Sequence, residues 1–303
     1  MITLERILCP VDFSDFSRRA LRYASALAQW YEAEVRALYV HAVVAPVVPI
    51  AAVPEENPYD STALVDDARR ELDELLKPLR ASGAAVSAAV GVGLPVGAIL
   101  DDARAWPADL LVMGTHGRSG VERLLLGSVT EKVLRKSPCP VLTVHGLRAD
   151  AVPDTAPFFQ RIVCPVDFSE ASLSALEYAF SLAQESGGCL ALVNVVEGLD
   201  HEPLTTAHYQ IPEYQAYLVA EAEDRLRALV PAEAVDWCTP DVRVSSGKAY
   251  SEILRVSAEM KADLVVMGVL GRNAVDLALF GSTAHHVVRA AECPVLVIRP
   301  RAS

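Results

Sequence analysis

Short apolar runs alternate with longer amphipathic stretches along the chain, and that alternation sets the predicted elements. RILCPVD (6–12) is an apolar run closed by a turn signal, the pattern of a strand buried on both faces. SRRALRYASALAQWYEA (17–33) follows, with Ala20, Leu21, Ala24, Leu27 and Ala28 on one helical stripe. EVRALYVHAV (34–43) predicts a second strand and STALVDDARRELDELLKPLRAS (61–82) a second helix. AAVSAAVGV (84–92) predicts a third strand, and PVGAILDDARAW (95–106) a helix with Pro95 in its first turn. ADLLVMG (108–114) and CPVLTV (139–144) predict the fourth and fifth strands, on either side of a short helix at about 128–136.

The same order is then written a second time. ERILCPVDFSDFS (5–17) returns as QRIVCPVDFSEAS (160–172), and ADLLVMGTHGRSG (108–120) as ADLVVMGVLGRNA (262–274). SPCPVLTVH (137–145) returns as AECPVLVIR (291–299), and the helical stripe as Ala175, Leu176, Ala179, Leu182 and Ala183. Asp12 recurs as Asp167 and Gly114 as Gly268, so one residue is lost between those points. GLRADAVPDTAPFF (146–159) has no periodicity and reads as a connection. The predicted organisation is a domain at 1–146, a linker at 147–159 and a second domain at 160–303. Strand–helix alternation of this kind needs crossovers, so each half is predicted to be a doubly wound α/β domain with a mostly parallel sheet.

A chain of 303 residues has room for two cores, and 52% hydrophobic with 22% charged residues is a globular composition. The net charge of −12 argues against duplex nucleic acid or an anionic membrane as partner. MITLERILCPVDF reads as a mature first strand rather than a signal peptide. The most apolar segment, AVVAPVVPIAAVP (42–54), is too short and too broken by proline to span a bilayer. None of the six cysteines forms a C-x-x-C pair, which predicts reduced, structural thiols in a cytoplasmic protein.

Two loops in each half carry candidate chemistry. In an open parallel sheet, ligands bind beyond the carboxyl ends of the strands, where the strand order reverses. Asp12 and Asp167 close the first strand of their halves. A carboxylate there can accept from ribose hydroxyls or an adenine amine; equally, the Asp or a nearby serine can cap the first helix. The second loop is a glycine frame: Gly114-x2-Gly117-x9-Gly127-Ser128, repeated as Gly268-x2-Gly271-x9-Gly281-Ser282. Glycines let backbone N–H groups approach a phosphate, and the Gly-Ser opens a helix whose dipole favours an anion. Ser128 and Thr130 add hydroxyls, and Arg118 and Arg272 add charge. A structural turn needs one or two glycines and gives no reason for the whole frame twice.

With PVDFS and the glycine frame in both copies, the sequence resembles a tandem universal stress protein over nearly its whole length. That resemblance implies a five-stranded sheet of order 3-2-1-4-5 in each domain. It also implies ATP, with adenine and ribose near the strand-one Asp and the end of strand two, and phosphates on the frame. The contacts it assigns in the first half are Pro10, Asp12, Val40, Gly114, Gly117, Gly127, Ser128 and Val129. In the second half they are Pro165, Asp167, Val195, Gly268, Gly271, Gly281, Ser282 and Thr283. Mg2+ is expected with the triphosphate, with Ser128 as a candidate ligand. Fifth-strand pairing is implied, making the halves an internal pseudo-dimer, with a homodimer of chains beyond it.

The function expected from all this is regulatory ATP binding in a stress response. Its competitors are a slow ATPase and a nucleotide-independent interaction protein. No catalytic residue is assigned, because the frame supplies donors and no recurring base: His116 becomes Leu270 in the second half. Thr115 becomes Val269 and Thr130 becomes Ala284, which predicts a weaker second site. GVGLPVG (91–97) reads as a strand-to-helix turn, and SSGKAYS (245–251) lacks the first glycine of a P-loop. His285 and His286 are adjacent and cannot chelate as an i,i+4 pair would, while His201, His208 and Glu202 form a metal alternative in a loop. The apolar 42–54 segment is a lid, a partner patch or a loop folded on its own helix.

Overall fold

The computed structural model of the chain describes residues 2–42, 61–116, 126–145, 159–197, 212–238, 240–269 and 280–299. The first half runs β1 (Arg6–Val11), α1 (Asp15–Tyr31), β2 (Glu34–His41), α2 (Ser61–Ala81), β3 (Val86–Val92). It continues with α3 (Pro95–Ala105), β4 (Leu110–Gly114), α4 (Ser128–Lys136) and β5 (Val141–Val144). The second half repeats the order as β6 (Arg161–Pro165), α5 (Glu170–Ser186), β7 (Cys189–Val196), α6 (Pro212–Ala228) and β8 (Asp241–Ser246). It ends with α7 (Ala249–Glu259), β9 (Leu264–Gly268), α8 (Ser282–Ala290) and β10 (Val295–Ile298). A short 3-10 turn, Ala232–Asp236, follows α6 and has no counterpart after α2 among the described residues.

Both halves have the strand order 3-2-1-4-5, and the two are joined into one ten-stranded sheet, β3-β2-β1-β4-β5-β10-β9-β6-β7-β8. Every pairing within a half is parallel. The seam between halves is antiparallel, with Thr143 opposite Val295, Leu142 opposite Leu296 and Val141 opposite Val297. The expected internal pseudo-dimer is therefore present, built from the fifth strands.

Alternation along the strands feeds two cores, one on each face. Ile7, Cys9 and Val11 of β1 join Leu110 and Val112 of β4 under α1, α2, α5 and α6. Leu8 of β1 joins Leu111 and Met113 of β4 under α3, α4, α7 and α8. Strands covered on both sides must be apolar throughout, which is why all of β4, β5 and β10 is buried. All six cysteines are free, five of them buried and only Cys189 exposed. Burial pushes the Cys139 thiol up to about 11.

Helix ends follow local chemistry. α1 and α5 start at serine N-caps, where Ser14 accepts from the Ser17 N–H and Ser169 from the Ser172 N–H. Pro95 opens α3 as the sequence predicts. The turns before α3 and α7 place Gly93 at φ +132° and Gly247 at φ +139°, conformations that only glycine adopts without strain. GVGLPVG is thus a strand-to-helix turn, and its glycine recurs for that reason.

A second contact ties the halves together on the α1/α5 face. The Ile2 N–H donates to Ser181 Oγ at 2.8 Å and to Glu185 Oε1 at 3.0 Å. The Tyr31 hydroxyl donates to Glu185 Oε2 at 2.5 Å. One carboxylate of the second half therefore holds both the start of the chain and the end of α1.

Candidate nucleotide site

In each half the strand order reverses between strands one and four, because α1 and α2 cover one face and α3 and α4 the other. A crevice opens at the carboxyl end of such a pair. Asp12 lies there, one residue beyond β1, and its side chain is built into the turn. Its Oδ1 accepts from the Ser14 N–H at 3.0 Å and from the Ser14 hydroxyl at 2.6 Å. Its own N–H donates to Ser17 Oγ at 3.3 Å. Asp167 makes the same three bonds with Ser169 and Ser172 at the same distances.

Of the two roles weighed for Asp12, serine takes the cap and aspartate holds the serine. The turn forces Phe13 and Phe168 to φ 64°, a left-handed conformation that is costly for an aromatic residue. Each ring is steadied differently: Phe13 packs on Tyr39 at 4.9 Å, while the Arg225 guanidinium lies 3.8 Å from the centre of Phe168. The expected alternative, a nearby serine as the cap, is the one the structure takes, and its signal is D-F-S-x-x-S in both copies.

Pro10 and Val40 belong to the same end of the sheet. Val40 packs on the core under α3 and α4, and Pro10 follows Leu8 onto that face by the two-residue period. Val195 packs likewise, and Pro165 follows Val163 in the same way. The α4 and α8 N-termini lie just beyond the ends of β4 and β9, with N-caps Gly127 and Gly281 that make no side-chain cap bond. Ser128 and Ser282, at the first helical position, are exposed, while Val129 and Thr283 are half-buried. Matching backbone bonds close the frame at its base: the Gly127 N–H donates to the Thr115 carbonyl at 2.8 Å, and the Gly281 N–H to the Val269 carbonyl at 3.0 Å.

Three expected roles change on inspection. A Cβ on Gly114 would stand 2.9 Å from the Phe16 backbone carbon, and one on Gly268 2.7 Å from that of Ala171. Those glycines let the first turn of α1 or α5 lie against the strand end; phosphate approach is not what requires them. The Thr130 hydroxyl, expected as a phosphate donor, is buried and donates to the Gly114 carbonyl at 2.9 Å. Thr115 is also buried, with its Oγ1 3.0 Å from His116 Nδ1. Replacing these threonines by Val269 and Ala284 thus alters internal scaffolding, and only the loss of His116 bears on the expected weakness of the second site.

Gly117, Arg118, Gly271 and Arg272 lie outside the described residues, as do 43–54 of the apolar segment and His201, Glu202 and His208. His285 and His286 stand edge to face, 5.8 Å between ring centres, with His286 stacked on Tyr250 and its Nδ1 2.7 Å from the Ser282 carbonyl. Among the described residues no three His, Cys, Asp or Glu side chains group as a metal site. A divalent ion here would have to rely on a ligand's own phosphates together with a hydroxyl such as that of Ser128.

The residues present suit an anionic ligand. Where α1 and α5 spend an N-cap serine on their free N–H groups, α4 and α8 have an N-cap glycine with no side chain to do so, and the positive end of each dipole lies at that end. Glu131 in the first turn of α4 is turned to Arg135, and α8 has no acid in that turn.

The fold defines a tandem doubly wound α/β protein. The chain belongs to the universal stress protein family, whose model matches residues 3–145 and again 158–299. A universal stress protein of Methanocaldococcus jannaschii is 36% identical over 46% of this chain and 81% of its own. One from Mycolicibacterium smegmatis is 27% identical and spans 97% of both chains. The crystal structure of a universal stress protein from Archaeoglobus fulgidus superposes with a TM-score of 0.73 at 24% identity, covering 99% of this chain and 100% of that one. No described helix is long and apolar enough to cross a membrane.

Proposed function

We propose that this protein binds ATP at both switch points and acts as a regulatory stress-response protein in the cytoplasm. The observation that carries this is the pair of glycine-capped helices, each beside an Asp–Ser turn at the carboxyl end of the sheet. In this reading the ribose and adenine lie along Pro10, Asp12 and Val40, or Pro165, Asp167 and Val195. The phosphates meet the N–H groups of Ser128 and Val129, or of Ser282 and Thr283, with Gly117, Arg118, Gly271 and Arg272 completing the frame. Mg2+ enters with the triphosphate and takes Ser128 as its protein ligand. Occupancy changes what the protein contacts, as a homodimer, and the nucleotide is held rather than consumed.

The test is calorimetric titration with ATP, ADP and cyclic AMP, with and without Mg2+, on the wild type and on Ser128→Asp and Ser282→Asp. An acid at the first position of a helix favours the helix and repels a phosphate. Each variant should therefore keep its stability and weaken one of two sites by at least about tenfold. Absence of ATP binding to the wild type, or binding indifferent to both variants, would sink the proposal.

A further inference from the structure

The two glycine-capped helices are linked to each other, and the links are reciprocal. In the first half the Val144 carbonyl, the last of β5, accepts the Thr115 N–H at 3.2 Å, and the Thr115 carbonyl accepts the Gly127 N–H at 2.8 Å. The end of β5 thus fixes the α4 N-cap. The next residue, His145, leaves its own half: its Nε2–H donates to the Val288 carbonyl in the last turn of α8. In the second half the Ile298 carbonyl accepts the Val269 N–H at 2.9 Å, and the Val269 carbonyl the Gly281 N–H at 3.0 Å. The next residue, Arg299, donates to the Arg135 carbonyl in the last turn of α4. Each helix therefore has its C-terminal carbonyls held by the residue adjoining the strand end that fixes the other helix's N-cap.

Resting on the nucleotide sites proposed above, we propose that the two sites are positively coupled through these crossed caps. An anion at the N-terminus of α4 and the Arg299 donor at its C-terminus act on opposite ends of one dipole and reinforce one another. A firmer hold on Arg299 restrains Ile298, and with it Val269 and the Gly281 cap of α8. Ordering achieved for the first ligand need not be repeated for the second. The return path through Val288, His145, Val144 and Thr115 has the same form, as the reciprocity of coupling requires. The antiparallel seam of β5 and β10 sets both side chains at their targets.

Single-site ATP constants come from Ser282→Pro and Ser128→Pro, which remove the N–H at the first helical position and add bulk without adding charge, and the wild-type isotherm is compared with their product. The second ATP should bind at least about fivefold more tightly than independent sites allow. Arg299→Met with His145→Phe, which removes both donors, should abolish the excess while both sites still fill. Arg299→Lys with His145→Gln, which keeps donors, should retain it. Each single donor-less variant should lower the excess on its own, which keeps the test usable if the double variant does not fold. Independent or mutually weakening sites, or an excess that survives loss of both donors, overturn the coupling. A second readout needs no nucleotide: the Ser128→Asp carboxylate stands at the α4 N-terminus and should slow amide exchange at Val269 and Gly281 in the other half. Unchanged exchange there defeats the coupling whatever ATP does. Slowed exchange without ATP binding supports the coupling and defeats the choice of ligand.

Discussion

The Thr130 hydroxyl donates to the Gly114 carbonyl at 2.9 Å and so pins the first turn of α4 to the end of β4. At the matching position the second half has Ala284, also buried, and yet it builds the same strand end and the same glycine cap. The hydroxyl is therefore a brace within the scaffold, and its loss is tolerated by the fold.

Thr130→Ala should cost about 1 kcal/mol, the net worth of one neutral hydrogen bond, seen as a lower midpoint in urea unfolding. Nucleotide affinity at the first site should change by less than about threefold. A tenfold loss of affinity with unchanged stability would instead return Thr130 to the phosphate.

Gly114→Ala and Gly268→Ala should both destabilise, because the new methyl meets helix backbone that cannot swing aside. An overpacked contact of this kind costs about 1–3 kcal/mol, and Gly268→Ala should be the worse, with its Cβ 2.7 Å from Ala171 against 2.9 Å from Phe16. Paired urea titrations decide the order. Equal stability of both variants with the wild type would show that α1 and α5 are free to lift.

These residues also mark how far the sequence was legible. Strands buried on both faces announce themselves as apolar runs, and duplication doubled every signal, so the elements, the parallel sheets and the glycine frame could all be read. What could not be read was direction and distance. Nothing near Gly114 in the chain says that Phe16, almost a hundred residues earlier, lies against it, so the packing reason for that glycine has no local signal. Thr130 looked available because a hydroxyl in a first helical turn often is; only the strand end beneath it shows where it points. The contacts between halves, Ile2 with Ser181 and Glu185 or His145 with Val288, depend on the register of β5 on β10 and have no local sequence signal at all.

Tyr31 and Glu185 should stabilise the junction of the halves measurably. Tyr31→Phe removes a hydrogen bond to a carboxylate that keeps two other donors, the Ile2 N–H and the Ser181 hydroxyl. The expected cost is about 1.5 kcal/mol, at the low end for bonds to charged groups. In a double-mutant cycle with Glu185→Ala, which leaves no acceptor for the hydroxyl, most of that should vanish. Additive losses would mean that the tyrosine hydroxyl does not act through Glu185.

His145 should make the protein acid-sensitive in a defined window. Burial among α8 and the seam strands pushes it down to about 4 in the folded state, against about 6.5 in an unfolded chain. With the folded value depressed, the unfolded state binds more protons between those limits, so stability falls as pH drops from about 6.5 toward 4 and is fully present above. The loss from this one group at pH 4.5 should be about 2–3 kcal/mol relative to pH 7. His145→Gln keeps a donor for the Val288 carbonyl but cannot take up a proton. Urea unfolding at pH 7 and 4.5 should therefore show a smaller acid penalty in the variant, by about that amount. Equal penalties in both proteins would mean that His145 is solvated and titrates normally, and the crossed cap on α8 would then be open in solution.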